Sequence, residues 1–318
     1  MRCYLLILLL LLSISSYCQF SSNKVDSIVL GKKYKSSDVE ELSKEIAFDF
    51  KSDSNKIRAF YIYVVTNIKY DIKLSKRKWY PKSLEAMDSI TLSEVNKCIT
   101  NKKGICWDYS ALFQKLCFYQ GIEVEQIGGT LRNSEIMQEK KAVNHGWNSL
   151  IINGERKFID CTFLPPDKYS KSEYDKFYLI SPDEFIYRCF PDDPTKQYLE
   201  TMLSYLQFKS LPYVESSFYE QKIKNLTPNS MGIKIKNNEI YSISFQIDNI
   251  DNLTTIEVHI NDELIKVIEE IKSNINLNLK MKLIPGDKIK IMSINTLSQD
   301  KDGKTVSISP LITYVAIK

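Results

Sequence analysis

The hydrophobic period of this chain changes once along its length, which restricts it to a fold with helices first and strands last. From Asp38 to about Ile68 the apolar residues recur three and four apart: Val39, Leu42 and Ile46, then Ile57, Phe60, Tyr61, Val64, Val65 and Ile68. Two amphipathic helices fit this spacing, the second with an N-cap at Asp53 or Ser54. A basic loop follows through Lys76, Arg77, Lys78 and Trp79 to Pro81, then a further helical stretch from Leu84 to Cys98 and a turn at Asn101-Lys-Lys-Gly104. After about Leu211 short runs alternate sides instead: Ile233 to Lys236, Tyr241 to Ile247, Thr255 to Ile260, Ile289 to Ile294 and a last strand ending near Ala316. Turn signals at Asn237-Asn238, Asp251-Asn252, Pro285-Gly286-Asp287 and Asp302-Gly303 separate them. This second part reads as an all-β, immunoglobulin-like sandwich without the Cys and Trp hallmarks of true immunoglobulin domains.

The first residues carry an address. Arg2 precedes an apolar run from Leu5 to Leu12, then Ser13 to Ser16 and Tyr17-Cys18-Gln19, which predicts an export signal cleaved after Cys18. A lipid-modified Cys18 is the rival reading, and bulky Tyr17 weighs against it. No later segment approaches about 20 uninterrupted apolar residues, so no membrane attachment is expected after cleavage. The chain then divides into a signal at 1–18, a first domain at 19–211 and a β-sandwich at 212–318, in a secreted or periplasmic protein. With 43 Lys+Arg against 39 Asp+Glu, interspersed, it shows no dense basic block and no nucleic-acid partner is expected.

Past Cys18 the cysteines are Cys98, Cys106, Cys117, Cys161 and Cys189, an odd number that leaves at least one thiol unpaired in an exported protein. The other four are expected to be buried free thiols, although two disulfides remain open. With His145 and His259 far apart and no Cys-x-x-Cys pair, neither a metal nor a cofactor is called.

The odd thiol is Cys106. Tyr109, Leu112, Phe113, Leu116 and Cys117 recur at helical spacing behind it, and Gly121 supplies a C-terminal stop. Cys106 therefore lies at a helix N-terminus, where peptide dipoles and backbone N–H groups favour a thiolate. Farther along, Asn153-Gly154 is a strong hairpin signal between Ile151-Ile152 and a strand over Lys157 to Phe163. A two-residue loop places Ile152 opposite Glu155, Trp147 opposite Asp160 and His145 opposite Thr162. His145 and Asp160 then share a face as diagonal neighbours, where a carboxylate can reach an imidazole N–H. A one-residue slip would separate them. Cys, His and Asp in this order point to acyl transfer through a thiolate.

Lys103-Gly-Ile-Cys-Trp-Asp-Tyr-Ser-Ala-Leu-Phe, Gly121-Ile122, His145-Gly-Trp-Asn and Ile159-Asp-Cys-Thr-Phe together resemble the transglutaminase-like superfamily over roughly residues 40 to 200. Phe177-Tyr-Leu-Ile-Ser-Pro-Asp-Glu-Phe-Ile, Phe190-Pro-Asp-Asp-Pro and Asn67-Ile-Lys-Tyr-Asp71 resemble the branch that includes kyphoscoliosis peptidase and cytokinesis-associated relatives. One departure is Arg188-Cys189-Phe190, where that branch has a histidine shortly before the proline. The resemblance implies an α+β, papain/transglutaminase-like domain with Cys106, His145 and Asp160 as its catalytic triad.

The roles that follow are nucleophile for Cys106, proton relay for His145 and orienting carboxylate for Asp160, acting on a peptide or polypeptide substrate. The backbone N–H of Cys106 is the first oxyanion donor, and Trp79, Tyr70 or Asn67 could supply a side-chain donor. Hydrolysis of peptide or isopeptide bonds is the favoured reaction, with transamidation second and a silent binding module third. His259 is expected to be structural and without companions. The C-terminal β-domain is expected to position the first domain or to bind a protein partner.

Overall fold

Helix boundaries follow local capping. In the computed structural model, helix α1 covers 24–31. In α2 (Val39–Ala47) the Asp38 side chain accepts from the backbone N–H groups of Glu40 and Glu41 at 2.9 and 3.1 Å. In α3 (Asp53–Asn67) Ser52 is the N-cap, one residue ahead of Asp53 and two ahead of Ser54, the expected positions, because its hydroxyl accepts from Asn55 N. The structure describes residues 24–76, 91–132, 145–162, 175–236, 239–247, 253–269, 275–300 and 303–317. The expected export signal, the basic loop from Arg77 to Pro81, the helical start at Leu84 and the turns at Asn237-Asn238 and Asp251-Asn252 lie outside these residues.

The chain forms two compact units. The first holds the described residues of Met1–Gly128 and Val143–Leu179, and the second those of Gly129–Ala142 and Ile180–Lys318. In the first, α6 (Cys106–Phe118) packs against α2, α3, α5 (Leu92–Asn101) and strand β4 (His145–Ile152). Two short strands, β1 (Lys69–Tyr70) and β2 (Lys103–Gly104), pair in parallel, with α4 (Ile72–Ser75) between them in sequence. Strand β3 (Val124–Leu131) lies beside β4, and β4 beside β5 (Glu155–Ile159).

Helix α3 corrects one expectation. It is buried around its whole circumference from Ile57 to Val65 and is not amphipathic. Arg58 breaks the apolar run and is itself buried, because its Nε and Nη2 donate to both Asp26 carboxylate oxygens at 2.8 Å each. Asp175 pairs with Nη1 at 2.7 Å and the Tyr178 ring lies 4.6 Å from the guanidinium carbon. A buried charge persists only when compensated in this way.

The second unit takes in residues ahead of the C-terminal strands. Arg132, buried, donates from Nη1 to the carbonyls of Leu211 and Pro212 at 2.7 and 3.3 Å, and its guanidinium lies 5.5 Å from the Tyr213 ring centre. Phe190, on strand β6 (Cys189–Pro191), packs against Tyr205 and Phe208, and β6 pairs with Gly129–Leu131. Residues 180–211 thus fold with the strands that follow.

Those strands form two sheets. One orders β13 (Ile275–Lys282), β10 (Ile240–Ile247) and β8 (Ile223–Thr227), all antiparallel. The other orders β12 (Glu263–Glu269), β11 (Leu253–Ile260), β14 (Lys288–Asp300), β15 (Gly303–Ile317) and β7 (Tyr213–Val214), with β9 (Gly232–Lys234) parallel to β15. Period-two burial, as in Ile243, Phe245 and Ile247 or Ile256 and Val258, gives each sheet one core face. The C-terminal region is therefore all-β. His259 sits on β11 as expected but has a companion: its Nε2 meets Glu257 Oε2 at 2.7 Å. Among the described residues, no helix is long and apolar enough to cross a membrane.

Candidate active site

Cys106 is delivered by a short clamp. Lys69 N donates to Lys102 O at 2.9 Å and Asp71 N to Gly104 O at 2.8 Å, so β1 fixes the chain immediately before α6. Lys102, with φ of 50°, ends α5 in the left-handed conformation and turns the backbone into β2. Gly104 has no room for a side chain: a Cβ there would lie 2.6 Å from Asp108 Cβ and 3.1 Å from Cys98 Sγ. Asp108 Oδ2 accepts from Ile105 N at 2.8 Å and closes the helix start. Burial outweighs that hydrogen bond and, with Glu94 and Asp71 nearby, holds the Asp108 carboxyl above its ordinary range. Cys106 is the first residue of α6, as the sequence spacing predicts.

The first turns of this helix are tied to the sheet. Gln126 Nε2 on β3 donates to Trp107 O at 3.2 Å and to Ser110 Oγ at 2.7 Å, and Asn148 Nδ2 on β4 donates to Ser110 O at 3.0 Å. Gly146 permits this approach, because a Cβ there would meet Trp107 Cε3 at 2.9 Å and Ser110 Oγ at 3.2 Å. His145 therefore leaves the end of β4 directly above the helix start. Its ring stacks with that of Trp147, centroids 6.0 Å apart and planes 28° apart.

The hairpin has the expected register. Asn153 and Gly154 both adopt positive φ, 53° and 80°, as a type I′ turn requires. Ile152 faces Glu155 and the ladder runs to Asn148 opposite Ile159. There it ends, one residue short of the carboxylate, because Asp160 N donates to Phe177 O at 3.0 Å. The side chains still meet: His145 Nε2 donates to Asp160 Oδ2 at 2.5 Å. Thr162 lies in the turn that follows, where its N–H and hydroxyl both donate to Asp160 Oδ1, at 2.9 and 2.5 Å.

Cys106 lies close enough to His145 to act on its titration. With Nε2 committed to Asp160, Nδ1 is the ring nitrogen that serves the thiol. Burial disfavours a charged imidazole, but Asp160, by charge and hydrogen bond, and Cys106, in the same two ways, outweigh it and push the His145 pKa up to about 10. The arrangement favours an imidazolium at His145. Cys98, Cys117 and Cys161 are buried thiols, not disulfides, and burial pushes each well above the usual thiol range.

Of the side-chain oxyanion candidates, Trp79 lies outside the described residues. Asn67 is committed elsewhere: its Nδ2 donates to Tyr63 O and to Thr66 Oγ1, both at 3.1 Å. Tyr70 is half-buried and packs, with Leu74, against the cluster of Ile105, Cys106 and Trp107. Sequence reasoning did not single out Asp108, Gln126, Thr162 or the two close-approach glycines. The Asp at the third helical position carried a capping signal; the others depend on which strand meets which helix.

Residues 40–161 match the model of the transglutaminase-like superfamily, a span that begins in α2 and ends just after Asp160. The chain carries a transglutaminase-like domain. Its fold is the transglutaminase/papain-like mixture of helices and sheet. The chain is 24% identical to kyphoscoliosis peptidase of Mus musculus over 210 residues, covering 63% of this chain and 30% of the relative. Cytokinesis protein 3 of Schizosaccharomyces pombe is 22% identical over 197 residues, covering 60% of this chain and 21% of the relative. The chain thus spans less than a third of either relative's length, and the likeness is one of domain. A crystal structure of a TGase is similar with a TM-score of 0.29 at 17% identity, covering 46% of this chain and 34% of that one, too slight to bear on the fold.

Proposed function

We propose that the protein is an exported thiol enzyme that hydrolyses peptide or isopeptide amide bonds through a thioester on Cys106. Cys106 at a helix N-terminus, near a His145 that is hydrogen-bonded to buried Asp160, carries this reading. The thiolate attacks the amide carbonyl carbon, and the carbonyl π pair moves to oxygen. Collapse of that intermediate expels the amine, which takes a proton from His145, and leaves the thioester. Water then attacks with His145 as base, releasing the acid and restoring the thiolate. Asp160 keeps the imidazole in the tautomer both steps need. The N–H groups of the first helical turn have no intrahelical acceptor, so that of Cys106 is assigned to the oxyanion, with Trp79 as the side-chain donor.

Hydrolysis is favoured over transamidation because the aligned relative is named a peptidase. Export rests on the apolar run after Arg2 and the small residues before Gln19. The C-terminal all-β region is assigned an immunoglobulin-like sandwich and the binding of a protein partner. Incubating the full chain with casein and a fluorescent amine tests the reaction. Fragments without label, lost in Cys106→Ala, support hydrolysis; label in intact casein indicates transamidation; neither product overturns the enzyme reading for this substrate class.

A further inference from the structure

Asp160 is fully buried, so no solvent competes for its oxygens and protein donors alone decide how the carboxylate is turned. Its backbone is pinned by the 3.0 Å bond from its N–H to Phe177 O, which leaves rotation of the carboxylate about its stem as the remaining freedom. Thr162 removes that freedom. Its N–H closes an Asx turn onto Oδ1 at 2.9 Å and its hydroxyl adds a second donor to the same oxygen at 2.5 Å. With Oδ1 held twice by one residue, Oδ2 is directed at His145 Nε2.

We propose that Thr162 is a positioning residue, whose hydroxyl fixes the rotation of the Asp160 carboxylate and through it the orientation of the His145 imidazole beside Cys106. This rests on the thiol-enzyme reading above. The backbone donor survives both Thr162→Val and Thr162→Ser, whereas the hydroxyl donor is lost in the valine, at nearly constant volume, and kept in the serine. The turn therefore stays closed while the carboxylate gains freedom.

The test uses the full chain and reads Cys106 thiolate by its ultraviolet absorbance at neutral pH, as the difference from Cys106→Ala, together with the rate of iodoacetamide alkylation. Thr162→Val is expected to lose most of the thiolate signal and to alkylate about 10- to 100-fold more slowly, the range a charge-assisted hydrogen bond supports. Thr162→Ser is expected to restore both. A folded Thr162→Val with wild-type absorbance and rate overturns the proposal, as does a Thr162→Ser as impaired as the valine. A wild-type protein with no more thiolate than Cys106→Ala overturns the thiol reading itself and this inference with it.

Discussion

Replacing Asp160 by Asn tests the charge line with least change of shape. In the wild type the pKa of His145 is pushed from 6.5 up to about 10, against an opposing effect of burial. Asparagine removes the charge and also reverses a donor. If its carbonyl faces the N–H and hydroxyl of Thr162, its NH₂ faces His145 Nε2, which must then accept and move its proton to Nδ1, against the thiol. Burial then keeps the imidazole neutral at pH 7. An unassisted thiol titrating near 8.5 is about 3% thiolate at pH 7, so alkylation of Cys106 falls by up to about 30-fold, partly offset by the greater nucleophilicity of the less acidic thiol. The assay is iodoacetamide labelling at pH 7, followed by mass spectrometry of the Cys106 peptide, with circular dichroism confirming the fold. A folded Asp160→Asn that labels at the wild-type rate refutes the role given to the carboxylate.

Three further outcomes are expected. The raised His145 pKa stabilises the fold fully below about 6.5, and that contribution is lost as pH rises toward about 10. Urea unfolding across this window should show the difference between wild type and His145→Phe shrinking by up to about 1.4 kcal/mol per pH unit. Gly146→Ala drives a methyl to 2.9 Å from the buried Trp107 ring and should lower stability by about 1–3 kcal/mol in urea melts. Arg58→Met leaves Asp26 buried without its bidentate partner and should cost about 3–5 kcal/mol, read in the same way.

Where a local signal decided the geometry, the sequence could be read. Asn153-Gly154 permits a tight turn with two positive φ angles, and from it the pairing of Ile152 with Glu155 and the meeting of His145 with Asp160 follow by counting. The spacing behind Cys106 placed it at a helix start for the same reason. What stayed hidden depends on contacts between distant segments. Arg58 looks like the polar face of a surface helix until Asp26 and Asp175 are brought to it. Gly104 looks like a turn residue and Gly146 like an ordinary strand residue, and their need for hydrogen in place of Cβ arises from Asp108 and Trp107. Asn67 looked available for an oxyanion, but its amide bonds back to its own helix.

The parallel clamp of β1 on β2 isolates the helix start from the length of chain between its two strands. Lys69 and Asp71 grip Lys102 and Gly104 whatever residues intervene. The placement of Cys106 is thus set by backbone contacts at four positions, Lys69, Asp71, Lys102 and Gly104, each next to or within the short strands themselves.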